Sequence, residues 1–146
     1  MLALLNFDEY FVEEVYVKAN PKFEKKDWNE GAIAISFDIK RKEMEPNFMI
    51  PMAIKLNHAK KDSLNAPYQI ILRITGFFSF PKGTDEETIH KMIGLNGLSI
   101  LYGVARGVVA QATANCPHGK FILPSVNFIE LMKSKAKESR TKKKRV

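Results

Sequence analysis

The stretch IGLNGLSILYGVARGVVAQATAN, residues 93–115, decides the fold of this chain. It is compatible with a helix and carries a single formal charge, Arg106. At 100° per residue, its larger apolar residues share one arc about 120° wide, which is the usual core-facing stripe of a helix. The stripe consists of Leu98, Leu101, Tyr102, Ala105, Val108, Val109 and Ala112. We therefore predict a helix with one side buried in its own domain.

The opposite side of this helix carries small and apolar residues where an exposed helix would carry Lys and Glu. Gly103 and Gly107 lie one turn apart on this side, and each glycine inside a helix costs roughly 1 kcal/mol relative to alanine. Close approach of another backbone would account for that cost, so we predict that a partner subunit covers this side. The predicted oligomer interface consists of Ile100, Gly103, Val104, Gly107 and Ala110.

The same segment would be about 34 Å long as a helix, which is nominally enough to span a bilayer. Its polar residues argue against a span, because a central arginine such as Arg106 is expensive in hydrocarbon. The start of the sequence has no basic leader and no long apolar core, so no secretory signal is expected. We predict a protein without a membrane span.

Composition favours one cytoplasmic domain without catalytic or metal chemistry. The chain has 146 residues, of which 45% are hydrophobic, which is enough for a core. The single cysteine, Cys116, excludes an intramolecular disulfide and points to a reducing cytoplasm. Beside it, His118 could pair with the thiol, but a proline turn places the two badly and no third catalytic member is evident. The histidines also lack ligand spacing. We predict no enzyme activity, no cofactor and no metal.

All of the net charge of +7 lies at the end of the sequence. Residues 133–146 include eight Lys and Arg and one acid, Glu138, whereas the acids and bases of the remaining residues balance. The tail has no apolar periodicity, so we predict a domain over residues 1–132 and a disordered basic tail over residues 133–146. This tail could contact RNA, ribosomes, a membrane surface or an acidic protein, or it could merely improve solubility.

Alternation with period two before the long helix predicts four antiparallel strands. They are expected at about residues 10–18, with a phase break at Glu13 and Glu14, and at residues 33–39, 48–56 and 68–80. A helix is expected to start at Thr84, with Glu87 completing a capping box, and a last helix near Ser125. Strands followed by helices indicate an α+β fold.

Trp28 stands out among the aromatic residues because it lies in a polar, loop-like stretch between Glu24 and Glu30. Aromatic groups near a surface suggest a groove for apolar ligands or peptides. The aromatic residues of the predicted strands have a simpler explanation, which is the core of the domain.

The last third of the chain resembles the SecB family of protein-export chaperones. The similarity lies in residues 96–106 and in the segment FILPSVNF, residues 121–128. Upstream, VYVK at residues 15–18 resembles the family's first strand, residues 23–28 its crossover loop, and GFFSF at residues 76–80 the end of its fourth strand.

This resemblance implies a four-stranded antiparallel sheet followed by two helices, assembled as a homotetramer, a dimer of dimers with long helices between sheets. It also implies an ATP-independent holdase that binds unfolded polypeptides in aromatic grooves. The implied client-binding residues are Phe23, Trp28, Phe37, Phe78, Phe121, Val126 and Phe128.

Export members use acidic strand residues to dock the translocase motor SecA. Here Ala19, Asn20 and Pro21 follow Lys18, Ile71 occupies the corresponding place in the fourth strand, and the tail is basic, which puts docking of SecA in doubt. SecB-like proteins also guard antitoxins of toxin–antitoxin pairs, so the sequence leaves both roles open.

Two other classes remain as alternatives. One is a nucleic-acid- or ribosome-associated factor acting through the tail, although the strand cores lack interleaved basic and aromatic residues. The other is a small-ligand enzyme or carrier with a helix laid on a curved sheet, as in hot-dog or lipid-transfer folds. A hot-dog protein would have its long helix between strands, whereas here the helix follows them.

Overall fold

The computed structural model describes residues 3–27, 33–57 and 65–144. Within this part, five strands precede three α-helices. The strands are β1 (Asn6–Ala19), β2 (Ile33–Phe37), β3 (Lys40–Arg41), β4 (Asn47–Leu56) and β5 (Tyr68–Ser79). The helices are α1 (Glu86–Met92), α2 (Leu98–Thr113) and α3 (Phe128–Lys144), with a π-helical turn, Ile93–Gly97, joining α1 to α2. The predicted α+β class, with strands before helices, is confirmed.

The sheet is antiparallel, with the strand order β1-β5-β4-β2. The strands β1 and β2 are consecutive in the sequence but lie at opposite edges, so the chain crosses the sheet between them. The long strands β4 and β5 occupy the centre, and their side chains alternate between buried and more accessible positions. This alternation follows from the period of two in a strand with one face on the core.

The strand that we predicted over residues 33–39 is divided into β2 and β3, which raises the count from four strands to five. Both pieces pair with β4 in one register, Phe37 opposite Met52 and Lys40 opposite Met49. The break lies opposite Pro51. The amide of Asp38 donates to the Pro51 carbonyl at 3.1 Å, but proline has no N–H to donate in return. The next amide, that of Ile39, instead donates to Oδ1 of Asp38 at 2.9 Å.

Strand β1 is irregular where the sequence indicates. Its pairing with β5 shifts between Val12 and Glu14, which is the phase break that the sequence predicts, and shifts again between Phe7 and Glu9. The strand is longer than predicted because residues before Tyr10 also pair with the end of β5. Each extra residue at a bulge turns the following side chains to the other face of the strand.

The helices cover one face of the sheet and bury its central side chains. The core stripe of α2 is largely as predicted, since Leu98, Leu101, Tyr102, Ala105 and Val109 are buried. At the edge of the stripe the prediction fails. Val108 is half-buried and Ala112 is exposed, whereas Thr113 is fully buried. The hydroxyl of Thr113 donates to the Val109 carbonyl, which satisfies this polar group inside the core.

The helix start is also displaced by one residue from the prediction. The N-cap of α1 is Asp85, whose carboxylate accepts the Thr88 amide at 3.3 Å. The hydroxyl of Thr84 instead donates to the Pro81 carbonyl at 2.7 Å.

Helix α3 differs from the predicted disordered tail, because it continues to Lys144. Residues 133–144 contain no Gly or Pro and are rich in Lys, which is a good helix former. A helix already fixed by packing of its first turns can propagate through such residues at little cost. The division into a domain of residues 1–132 and a separate tail stays a prediction.

The continuous helical stretch Glu86–Thr113 has a length and hydropathy that would suffice to cross a membrane, and 44% of its most apolar window is buried in the structure. The core helix of a soluble protein meets the same criteria of length and composition.

A substitution at Thr113 tests the hydrogen bond that joins the end of α2 to the segment following it. Oγ1 of Thr113 also accepts the amide of Phe121 at 2.8 Å. The substitution Thr113→Val keeps the shape but removes the hydroxyl that accepts this buried amide, so we expect a loss of about 1–3 kcal/mol in the free energy of unfolding. Urea denaturation measures the loss. The control is Thr84→Val, where water can replace the exposed hydroxyl; an equal loss in both variants would contradict the assignment.

Candidate functional site

A surface cavity of about 200 Å³ lies between the edge strand β2 and helix α3. We call it the β2–α3 groove. Its apolar lining consists of Ile35, Phe37 and Leu131, which are all half-buried and pack against the core. Ile35 and Phe37 share one face of β2 because strand side chains alternate. The polar lining consists of Ser36, Ser134, Lys135 and Glu138. The groove can therefore accept an apolar side chain next to charged groups.

Lys135 closes one side of this groove on Phe37. Its ammonium lies 4.2 Å from the centroid of the Phe37 ring, a cation–π distance, and donates to the backbone carbonyl of the same residue. The lysine thus covers both the ring and a backbone acceptor of the edge strand.

An aromatic cluster joins the start of the crossover to the segment between α2 and α3. The ring of His118 lies 5.0 Å from that of Phe23 and 5.7 Å from that of Tyr68, and Tyr68 lies 6.3 Å from Phe121. Nε2 of His118 lies 2.7 Å from the Asn20 carbonyl oxygen. These contacts place Phe23 next to the segment between α2 and α3.

The phenol of Tyr68 connects this cluster by hydrogen bonds. It accepts the amide of His118 at 2.9 Å and donates to the carbonyl of Gly119 at 2.7 Å. Burial raises the pKa of Tyr68, while the hydrogen bond from His118 acts in the opposite direction. The shift favours the protonated phenol, which is the form that donates to Gly119.

The segment before α3 is held against α2 by two further polar contacts. The Tyr102 hydroxyl donates to the carbonyl of Pro124, and Nε of Arg106 donates to the carbonyl of Leu123 at 3.1 Å. Burial raises the pKa of Tyr102, and the charge of Arg106 lowers it. Arg106, the single charged residue of the long helix, therefore contacts another segment of the same chain.

The structure separates the predicted client-binding residues into two groups. Phe37 lines the groove, and Phe23 and Val126 are half-buried. By contrast, Phe78, Phe121 and Phe128 are buried, so the structure places them in the core rather than in a surface groove. Phe78 stacks on Phe7 at 5.0 Å, and Phe128 packs edge-on against Tyr102 at 5.4 Å. Trp28 lies outside the described residues.

Sequence reasoning missed two groove residues, Ile35 and Leu131. Ile35 shares the period-two face of Phe37, and Leu131 lies one helical turn after Phe128, so both could have been found from spacing. The buried aromatic residues could not be separated from the accessible ones in this way, because the alternation is the same in both cases.

The predicted interface side of α2 is accessible in the chain. Ile100, Gly103 and Gly107 are exposed, whereas Val104 and Ala110 are half-buried. A Cβ atom built on Gly103 or Gly107 would meet nothing within 4 Å. Packing within the described part of the chain therefore does not explain these glycines, and the face is apolar and uncharged.

A second accessible apolar surface, absent from the sequence predictions, lies on the edge strand β1. Its large apolar side chains are between 38% and 51% exposed: Tyr10, Phe11, Val12, Val15 and Tyr16. In the described sheet, β1 pairs with β5 on one side and has no strand on the other. A long apolar edge strand is normally covered, because its free backbone groups pair readily with another chain. The sequence does contain an indication of this surface. Adjacent residues of a strand point to opposite faces, so the apolar pairs at residues 11–12 and 15–16 place apolar side chains on both faces of β1.

No group of three or more His, Cys, Asp or Glu side chains converges as metal ligands in residues 3–27, 33–57 and 65–144. The shortest ion pair among the described residues, between Arg41 and Glu86 at 2.7 Å, joins the β3–β4 hairpin to α1. It lowers the pKa of Glu86 chiefly through the hydrogen bond from Arg41, and it lies outside the groove.

Comparison with solved structures defines the class of this fold. The chain is similar to the SecB-like chaperone Rv1957 of Mycobacterium tuberculosis, whose structure contains a ChAD peptide from the antitoxin HigA1. The TM-score is 0.63 at 10% identity, over 84% of this chain and 91% of that chain. A protein of unknown function from Streptococcus agalactiae has a TM-score of 0.44 at 12% identity, over 83% and 97% of the two chains. The fold is thus that of a SecB-like chaperone.

The family model described as preprotein translocase subunit SecB matches residues 4–139 of the sequence. The chain therefore belongs to the SecB family. The predicted resemblance is confirmed, and family membership supports a chaperone function; the family is not one of enzymes. Comparison with curated protein sequences finds no match.

Proposed function

We propose that this protein is an ATP-independent holdase that binds extended, apolar segments of non-native polypeptides in the β2–α3 groove. The observation that carries the proposal is an accessible apolar lining, Ile35, Phe37 and Leu131, at the edge of a sheet. Membership of the SecB family supports it independently.

The size of the groove favours a polypeptide over a small molecule. Its volume of about 200 Å³ is smaller than the roughly 300–1,000 Å³ of typical small-molecule sites. It suits a single large side chain of a longer ligand. Strand β2 lies at an edge of the described sheet, so an extended client can also bind through its backbone, as in other strand-addition complexes.

We also propose that the chain assembles as a cytoplasmic homotetramer, a dimer of dimers. Such an assembly needs two different self-complementary interfaces. The uncharged face of α2 around Gly103 and Gly107 supplies one candidate, and the apolar edge strand β1 supplies the other. The groove uses neither surface and would remain open in the tetramer.

The proposed client is an unfolded polypeptide, either a precursor for export or an antitoxin. The complex of Rv1957 with an antitoxin peptide supports the idea that this fold binds polypeptide segments.

The holdase proposal predicts that the protein suppresses aggregation of unfolded clients without nucleotide. Light scattering of several unrelated refolding clients, with and without the protein and ATP, measures this. We expect lower scattering in both nucleotide conditions. Scattering of every client unchanged by the wild-type protein would refute a general holdase.

A matched pair of variants locates the activity. Leu131→Asp places a charge in the apolar part of the groove and should weaken suppression, because burial of an unpaired charge is costly. Met44→Asp makes the same kind of change at a side chain that is 81% exposed and outside the groove, and should have no effect. Equal activity of both variants would place client binding elsewhere.

A further inference from the structure

We infer that the β2–α3 groove prefers client segments in which an acidic residue flanks the apolar one, and that Lys135 is the residue that determines this preference. The inference rests on the proposed function and adds a substrate class to it. Its basis is the position of one ammonium group over both the apolar lining and the backbone of the edge strand.

The present contacts of the Lys135 ammonium can be replaced by contacts with a client. Its ammonium donates to the Phe37 carbonyl and covers the Phe37 ring at 4.2 Å. The carbonyl is a neutral acceptor, whereas a client carboxylate would add the attraction between opposite charges to its hydrogen bond with the ammonium. A client carboxylate can therefore replace the carbonyl as the partner of Lys135.

This exchange would uncover the part of the groove that an apolar client side chain needs. While Lys135 lies over Phe37, its ammonium covers one face of the ring and occupies the backbone carbonyl. When the ammonium turns to a client carboxylate, the ring becomes available to an apolar side chain and the carbonyl to a client backbone amide. An acidic and an apolar residue near each other in the client would thus bind together.

The charges around the groove favour the same client. Over residues 33–37, β2 carries no charge, whereas α3 up to residue 138 carries three bases, Lys133, Lys135 and Lys137, and two acids, Glu130 and Glu138. The chain continues with five more bases and no acid over residues 139–146. Glu138 also lines the groove, but Lys135 contacts Phe37 in the structure. The field on the α3 side is therefore positive, which attracts acidic segments and repels basic ones.

Three peptides with one apolar core test the inference in the full-length protein. Their flanking residues are Asp, Asn or Lys. Asp and Asn have nearly the same shape, and the three residues are negative, neutral and positive. Fluorescence anisotropy measures each Kd. We expect the Asp-flanked peptide to bind about tenfold tighter than the Asn-flanked one at low salt, and this ratio to shrink at high salt. The Lys-flanked peptide should bind most weakly.

Substitution of Lys135 separates its position from the general charge of the tail. Lys135→Gln should reduce the ratio of Asp-flanked to Asn-flanked affinity about three- to tenfold, while the Asn-flanked Kd changes little. The control Lys133→Gln removes the same charge from the same helix, outside the groove lining, and should leave most of the ratio. A thermal melt checks that both variants stay folded.

The outcomes distinguish the inference from the function on which it rests. Equal binding of all three peptides to the wild type would overturn the acidic preference but support the groove as a polypeptide site. Failure of every peptide to bind would instead overturn the proposed function. An equal loss of the ratio in both lysine variants would overturn the role of Lys135. Displacement of the Asp-flanked peptide by single-stranded RNA, dependent on Lys135, would also overturn the proposal, because the site would then bind polyanions in general.

Discussion

Replacement of Gly107 by glutamate is expected to break the proposed homotetramer into smaller species while each chain stays folded. Gly107 is exposed, and a Cβ atom there meets no atom of the described residues within 4 Å beyond its own helix backbone, so the new side chain fits in the isolated chain. In a close helix contact the same carboxylate would be buried without a partner, at a cost of several kcal/mol per interface. Light scattering coupled to size exclusion measures the assembly, and circular dichroism the fold.

Two controls make the result specific. Ala136→Glu adds the same charge at an exposed position of α3 and should leave the assembly intact. Gly107→Ala adds one methyl group, so its effect reports how closely the backbones approach. A wild-type protein that is monomeric at micromolar concentration would refute the covered-helix argument, as would a Gly107→Glu variant that still assembles fully.

The second large effect concerns two aromatic residues that the resemblance places in one client-binding set. Phe121 is 9% exposed and packs on Tyr68, whereas Phe37 is half-buried at the sheet edge. We expect Phe121→Ala to reduce the free energy of unfolding by about 3–5 kcal/mol, because it leaves a cavity in the core. Phe37→Ala should cost clearly less stability but weaken binding of an unfolded client.

Urea denaturation and client anisotropy, measured on both variants, give the comparison. The variants serve as controls for each other, since both remove a phenyl ring. Weak client binding by a folded Phe121→Ala protein, together with normal binding by Phe37→Ala, would reverse the assignment. Client binding must be measured without denaturant, at a temperature at which both variants are folded.

The sequence predicted the order of elements because each strand and the long helix has a strong period of its own. The central strands β4 and β5 fall close to the predicted residues 48–56 and 68–80. The phase break at Glu13 and Glu14 appears as a bulge in β1, since an inserted residue leaves its mark in the alternation itself. The break between β2 and β3 follows from the pairing of both strands with β4, because Pro51 of β4 has no N–H to donate across the sheet.

The predictions differed from the structure where a local sequence pattern could not show how far an element packs against the rest of the chain. The tail over residues 133–146 was predicted to be disordered because it lacks an apolar stripe, yet α3 continues to Lys144, since its first turns are packed and its later residues favour helix. The edge strand β1 was predicted as an ordinary strand, and its exposure became visible only from its position in the sheet.

The sequence by itself determined the α+β class, the SecB resemblance and the two-sided character of the helix in residues 93–115, because periodicity and residue size are properties of the chain. Tertiary structure alone decided which aromatic residues are accessible. Phe37 and Phe78 both follow a strand alternation, but Phe37 lies on the edge strand β2 and Phe78 in the central strand β5 under the helices. Tertiary structure also placed Lys135 on Phe37, 98 residues apart in the chain. Such a contact depends on how the elements pack, which no local pattern encodes.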